Sequence, residues 1–225
     1  MTVDNSNLDT QIYAECVNSW KNMHLGLFYS KLPLLMENDN AVELINEFEF
    51  PEMNDYYELD KEMLFHDFYS QKLLTDGFNS FGFFIIWNSL GNIFRAFREG
   101  LEKEVDFKEH IEKTLDSNYE HSKELVYFLR NIFSHNIDES FTIHSDDIRA
   151  KKYKTLNIKF KLNSKTLKLS GPNIEIDINL EFSKINGGSK FTDHIKFDDI
   201  FLFADFCARL ALDYQHSLIN KLLGK

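Results

Sequence analysis

Apolar positions recur along this chain in two rhythms, helical up to about residue 150 and alternating after it. Over residues 8–36, Ile12, Val17, Trp20, Leu25, Phe28 and Leu32 fall at helical spacing, and Pro33 marks the end. Residues 41–57 predict a short helix broken at Pro51, then a polar connection. From Leu59 to about Thr75 a further amphipathic helix is expected, with "TDG" at 75–77 as its stop and Asn79 or Ser80 as the next cap. Between Phe81 and about Glu99 the chain is apolar nearly all round, the mark of a helix central to its bundle. "VDFKEHIEKTLD", 105–116, predicts a short helix capped by Asp106. Tyr119 to about His135 predicts a second heavily buried helix through Leu125, Val126, Phe128, Leu129, Ile132 and Phe133.

The alternating stretches are of a different kind. In "TLNIKFKL", Leu156, Ile158, Phe160 and Leu162 alternate with Asn157, Lys159 and Lys161. In "NIEIDINLEF", Ile174, Ile176, Ile178, Leu180 and Phe182 alternate with Glu175, Asp177, Asn179 and Glu181. Both are half-buried strands. "NSK" at 163–165 and "SGPN" at 170–173 are expected turns around a short strand "TLKL", and "NGG" at 186–188 ends the sheet. Asp198 or Asp199 then caps a last helix running to the end of the sequence. The expected fold is mainly α, a helical bundle in one domain over residues 1–225. A small antiparallel β-hairpin or meander is inserted at about 154–192, before the C-terminal helix.

Composition narrows the function classes. The chain has 225 residues, enough to bury a real core, and its three prolines leave room for long helices. A net charge of −11 argues against nucleic-acid binding driven by charge over the whole surface, though not against one local basic site. Cys16 and Cys207 have no zinc or CxxC spacing and read as reduced core thiols. "MTVDNSNLDT" is polar and acidic, unlike a signal peptide, and "FGFFIIW" at 81–87 is too short to cross a bilayer. A soluble, cytoplasmic chain with no membrane association is expected.

Within the helix at 119–135, "RNIFSH" carries Arg130, Asn131 and His135 among large apolar residues. These polar groups are either satisfied residues at the edge of a core or a catalytic site held on that core. RNA cleavage at a 2′-hydroxyl needs a group that handles protons near neutral pH, which histidine does. It also needs a fixed cation on the phosphate, where the arginine fork fits, and a neutral polar group such as Asn131 can orient either. Asn131 and His135 share a helix face, whereas Arg130 lies about 140° round from His135 at roughly 100° per residue. Arg130 therefore reaches the same place only through its long side chain, or if the helix loosens at "HNIDES". A histidine near a helix C-terminus tends to keep its proton, which favours an acid or phosphate-binding role.

At these residues the chain resembles the HEPN superfamily, whose signature is an arginine, a polar residue and, a few residues on, a histidine. Arg130, Asn131 and His135 match the short RNxxxH form, and the resemblance covers about residues 60–140 plus the final helix. It implies a helical bundle with the motif on its last core helix and the strand insertion as an elaboration. It also implies a metal-independent endoribonuclease, active as a homodimer with a composite site made from two copies of the motif and needing no cofactor. RNA is the implied substrate, and the implied biology is a toxin or antiviral defence effector restrained by an antitoxin or other regulatory protein. The alternative within the resemblance is a non-catalytic module that dimerises and binds a partner or nucleotide.

From Arg149 to Asn173 the chain holds basic residues and no acidic one. Lys151, Lys152 and Lys154, with Arg95 on the central helix, are the candidate RNA-binding cations. The competing reading pairs Lys159 and Lys161 with acids on the neighbouring strand. Arg98 invites the same question as Arg95: a cation near the site, or the exposed end of a buried helix. His24, His66, His110, His121, His144, His194 and His216 show no metal-binding spacing, and no phosphate-binding glycine loop is present.

Overall fold

The computed structural model describes residues 6–36, 71–135, 142–149, 152–162 and 174–222. The elements are α1 (Ser6–Met36), α2 (Gln71–Lys103), α3 (Val105–Leu115), α4 (Tyr119–His135), α5 (Ser145–Arg149), β1 (Thr155–Leu162), β2 (Ile174–Glu181) and α6 (Phe197–Leu222). The fold is mainly helical, with a small two-stranded antiparallel sheet before the C-terminal helix. Among the described residues no helix is long and apolar enough to cross a membrane.

The chain divides into two compact units, Met1–Lys21 with Asn88–Lys225, and Asn22–Trp87. In the larger unit, α4 turns Leu125, Val126, Phe128, Leu129, Ile132 and Phe133 into the core, and all six are buried. Fully burying an aliphatic or phenyl side chain contributes about 1.5–3 kcal/mol, so this face alone is enough to anchor the helix. Phe94 of α2 sits 5.8 Å from Phe133 and 6.1 Å from Phe203 of α6, centroid to centroid. Gly91 lets α2 approach there, since a Cβ at that position would stand 3.3 Å from Phe133 Cβ.

A second aromatic group closes the other side of this core. Tyr13 of α1, Phe107 of α3 and Tyr214 of α6 lie within 5.1–5.4 Å of one another. Cys16 and Cys207 are also buried; burial pushes the Cys16 thiol up to about 12 and holds Cys207 well above the ordinary thiol value. The sheet covers the bundle with its even-numbered face. Leu156, Ile158, Ile176, Ile178 and Leu180 are buried, α4 packs against β1, and α6 packs against β2.

In the smaller unit the described residues are 22–36 and 71–87. There Gly26 and Gly82 meet backbone to backbone. A Cβ on Gly82 would lie 2.7 Å from Gly26 O and from Ser30 N, so only glycine fits without a shift. Phe83 and Trp87 stack at 6.0 Å on the same helix.

Several sequence expectations change at element ends. α2 runs unbroken from Gln71, so Gly77 is a helical residue and not a stop. Asp106 is not the cap of α3; Glu104 holds that position with no side-chain cap bond, and Asp106 lies in the first turn. Phe182 leaves the strand for a short 3-10 turn through Lys184, and α5 had no signal in the pattern. α6 begins one residue before Asp198, which places both aspartates in its first turn. The expected helix at 41–57, the part of the 59–75 helix before residue 71, and the "TLKL" strand with its turns lie outside the described residues, while residues 71–75 belong to α2.

Candidate functional site

Opposite its buried face, α4 carries Tyr127, Arg130, Asn131 and Ser134, spaced three and four residues apart and so on one side. Arg130 and Asn131 are half-buried, while Ile132 and Phe133 hold the helix in the core. Arg130 Nη1 donates to Asn131 Oδ1 at 3.2 Å, which ties the guanidinium to the amide. The Asn131 NH2 then remains a donor for a second acceptor, and the guanidinium keeps its other N–H groups. Ser134 Oγ donates to the Arg130 carbonyl at 2.8 Å, so this hydroxyl serves the helix backbone. His135 is the last residue of α4, one turn beyond Asn131.

Three residues outside the motif complete this face. The Arg98 guanidinium of α2 lies 4.7 Å over the Tyr127 ring, and its Nε donates to Glu102 Oε1 at 2.8 Å. Burial pushes the Glu102 carboxyl up. The hydrogen bond and charge of Arg98, the Tyr127 hydroxyl and the charge of Arg130 outweigh it and hold the group below the usual carboxylate range. Tyr127 moves the other way, pushed up to about 12 by burial, by the Glu102 charge and by its hydrogen bond to that carboxylate. Glu102 is thus held as an anion beside Arg98, and its charge adds to burial in raising the Tyr127 value. Near neutral pH neither Glu102 nor Tyr127 changes its protonation state.

The other candidates are placed as follows. Arg95 turns to α1, with Nη2 donating to Glu15 Oε2 at 2.9 Å and Nη1 3.6 Å from Glu99. Lys152 donates to Glu120 Oε2 at 3.0 Å and lies 5.1 Å over the Tyr153 ring. Glu120 opens α4, so at 1.5 Å per residue Lys152 is anchored about 15 Å along the helix from Arg130. Lys154 is exposed, and Lys151 lies outside the described residues. Lys159 and Lys161 pair across the hairpin with Asp177 and Glu175, each at 3.1 Å, as the cross-strand reading expects.

Of the remaining histidines, His110 Nε2 is 3.1 Å from Asp213 Oδ2 and ties α3 to α6. Among the described residues no three His, Cys, Asp or Glu side chains gather as a metal site. A hollow of about 210 Å³ lies on the hairpin, lined by Lys159, Phe160, Lys161, Glu175, Ile176 and Asp177, and no motif residue borders it.

Sequence reasoning missed Glu102 and Tyr127. Tyr127 was within reach, since it lies three residues before Arg130 on the polar side of α4. Glu102 had no signal, because its place depends on which turn of α2 faces α4. No protein-family model, no curated protein and no solved structure matches this chain.

Proposed function

We propose that this chain is a metal-independent endoribonuclease of the HEPN type, working as a homodimer whose composite site takes one motif from each copy. Arg130 binds the phosphate, Asn131 orients the guanidinium and donates to a phosphate oxygen, and His135 binds the phosphate or moves protons. The observation that carries the reading is the Arg130–Asn131 bond on the half-buried side of α4, beside a core that fixes the same turn. Preorganised donors of this kind are what a developing phosphate charge requires. Arg98 adds a second cation on this face, held in place by Tyr127 and Glu102. By resemblance, the biological role is that of a toxin or antiviral effector in the cytoplasm, restrained by an antitoxin or other regulatory protein.

The test is incubation of the purified protein with RNA in EDTA, beside the Arg130→Ala, His135→Ala double variant. Cleavage by the wild type alone supports the reading. If both leave RNA intact and neither slows growth on expression, the enzyme reading fails.

A second reading has its own support. Arg130 is already engaged, by Asn131 and by the Glu102 charge, as a structural residue would be. In a non-catalytic dimerising module that binds a partner or nucleotide, the same variants would lower stability or pairing and remove no activity.

A further inference from the structure

On the motif side of the bundle one carboxylate, that of Glu102, draws donors from two helices. Glu102 is the last residue but one of α2. It accepts from Arg98 Nε at 2.8 Å and takes a second hydrogen bond from the Tyr127 hydroxyl on α4. The Arg98 guanidinium itself lies 4.7 Å over the Tyr127 ring, so the three side chains form one cluster joining α2 to α4. Arg130 follows Tyr127 by three residues on the same side of α4, and its charge adds the smallest of the influences on this carboxyl.

An ordinary ion pair on a helix surface is made differently. Glu99, three residues earlier on α2, has Arg95 at 3.6 Å and Lys103 at 3.4 Å, both from its own helix. Pairs of that kind bind a carboxylate loosely and contribute little. Glu102 instead collects a guanidinium N–H from α2 and a hydroxyl from α4, with a second guanidinium on the same side. Arginine and hydroxyl donors converging on an oxyanion are also what holds a phosphate group. The groups that hold Glu102 are therefore those that a phosphate on this face would use.

We propose that the Glu102 carboxylate occupies the place of a phosphate group on Arg98 and Tyr127, beside Arg130, and that an RNA phosphate must displace it to bind. The inference rests on the phosphate role given to Arg130 above and adds a competitor built into the chain. The carboxylate repels an incoming phosphate, and it already uses the Arg98 Nε–H and the Tyr127 hydroxyl. Displacement needs no backbone change. The Glu102 side chain is 38% exposed at the end of its helix, so a change of rotamer carries it into water.

The probe is a fluorescent 2′-O-methyl RNA oligomer, which presents the phosphates of RNA without the hydroxyl that attacks in cleavage. Its affinity for the full chain is read by fluorescence anisotropy, with thermal unfolding as the check on fold. Glu102→Gln keeps the size and one acceptor oxygen but removes the charge. It should bind the oligomer at least about five-fold more tightly than wild type. Glu99→Gln removes the same charge three residues away and should change affinity by less than about two-fold. Adding Arg98→Gln to Glu102→Gln should abolish the gain, because the vacated donor is then missing as well.

A residue that served only as a structural partner of Arg98 would, when replaced, lower the unfolding temperature and leave affinity unchanged or weaker. That result overturns the proposal, as does no binding by either protein. An equal gain from Glu99→Gln overturns it too, since net charge alone would then account for the effect. A gain that survives Arg98→Gln overturns the site as drawn. Cleavage of ordinary RNA by the wild type, with no gain from Glu102→Gln, would keep the ribonuclease and sink this inference. Tighter binding that follows all three variants, with no cleavage of ordinary RNA, would keep the occupied anion site and sink the enzyme.

Discussion

Arg98–Glu102 and Asp205–Arg209 are both pairs four residues apart on one helix, each closed through an arginine Nε at 2.8 Å. The first lies on the motif side of the bundle with its side chains 29% and 38% exposed; the second is only 9% and 7% exposed for Arg209 and Asp205. Asp205 also accepts the indole N–H of Trp20 on α1, and the Arg209 guanidinium lies 5.8 Å from the Trp20 ring. Both carboxylate oxygens of Asp205 accept hydrogen bonds inside the protein, one from Trp20 and one from Arg209, so the inner pair welds α1 to α6. The outer pair keeps its charges near water, where a phosphate can compete for them. Equal geometry therefore serves opposite ends, and burial decides which.

The comparison breaks most sharply at the inner pair. Asp205→Ala or Arg209→Ala should each cost about 3–5 kcal/mol in denaturant unfolding, because the remaining charge is stranded in the core. Replacing both, Asp205→Leu with Arg209→Met, should recover most of that loss. Equal small losses for all three variants would show that the pair is solvated.

At the motif the largest effect belongs to function. If the ribonuclease reading holds, Arg130→Ala should lower cleavage by about 10²–10³, as loss of one transition-state donor does. Unfolding free energy should change by less than about 1 kcal/mol for a pair this exposed.

A smaller effect is expected in alkali. The folded Tyr127 value lies above the ordinary 10 at about 12, so its contribution is present below pH 10 and is lost as pH rises toward 12. Glu102→Gln should bring tyrosine ionisation to lower pH in an ultraviolet titration. An unmoved curve would separate Tyr127 from this carboxylate.

The smallest effect is on the acid side. Glu102 and Glu120 are both held below the usual carboxylate range, Glu120 mainly by its hydrogen bond from Lys152. Their contributions are present above the unfolded value of about 4.3 and fade as pH falls below it. Glu102→Gln with Glu120→Gln should flatten the acid limb only slightly, because both pairs are solvated. A steeper limb in the double variant would contradict the sign.

Where one physical signal dominates, sequence and structure agree. α4 is legible from end to end, because its apolar stripe is wide and its polar side is narrow. The hairpin is legible for the same reason in period two, down to the lysines and acids that pair across it. The start of α2 is not: "TDG" resembles a helix stop, yet one helical glycine costs only about 1 kcal/mol relative to alanine, which surrounding packing can absorb. Glu102 beside Tyr127, and Trp20 bonded to an aspartate 185 residues away, depend on how helices rotate about their axes. No local pattern carries that angle.

Cys16 and Cys207 make the seam between α1 and α6 its own reporter. A thiol-specific reagent attacks the thiolate, and burial keeps both sulfurs protonated and out of its reach. Labelling must therefore wait for the seam to part. When reclosure outruns the reagent, the labelling rate measures the fraction of time the two helices spend apart, without any added probe. Comparing that fraction with the global unfolding equilibrium distinguishes a local opening of the seam from loss of the whole fold.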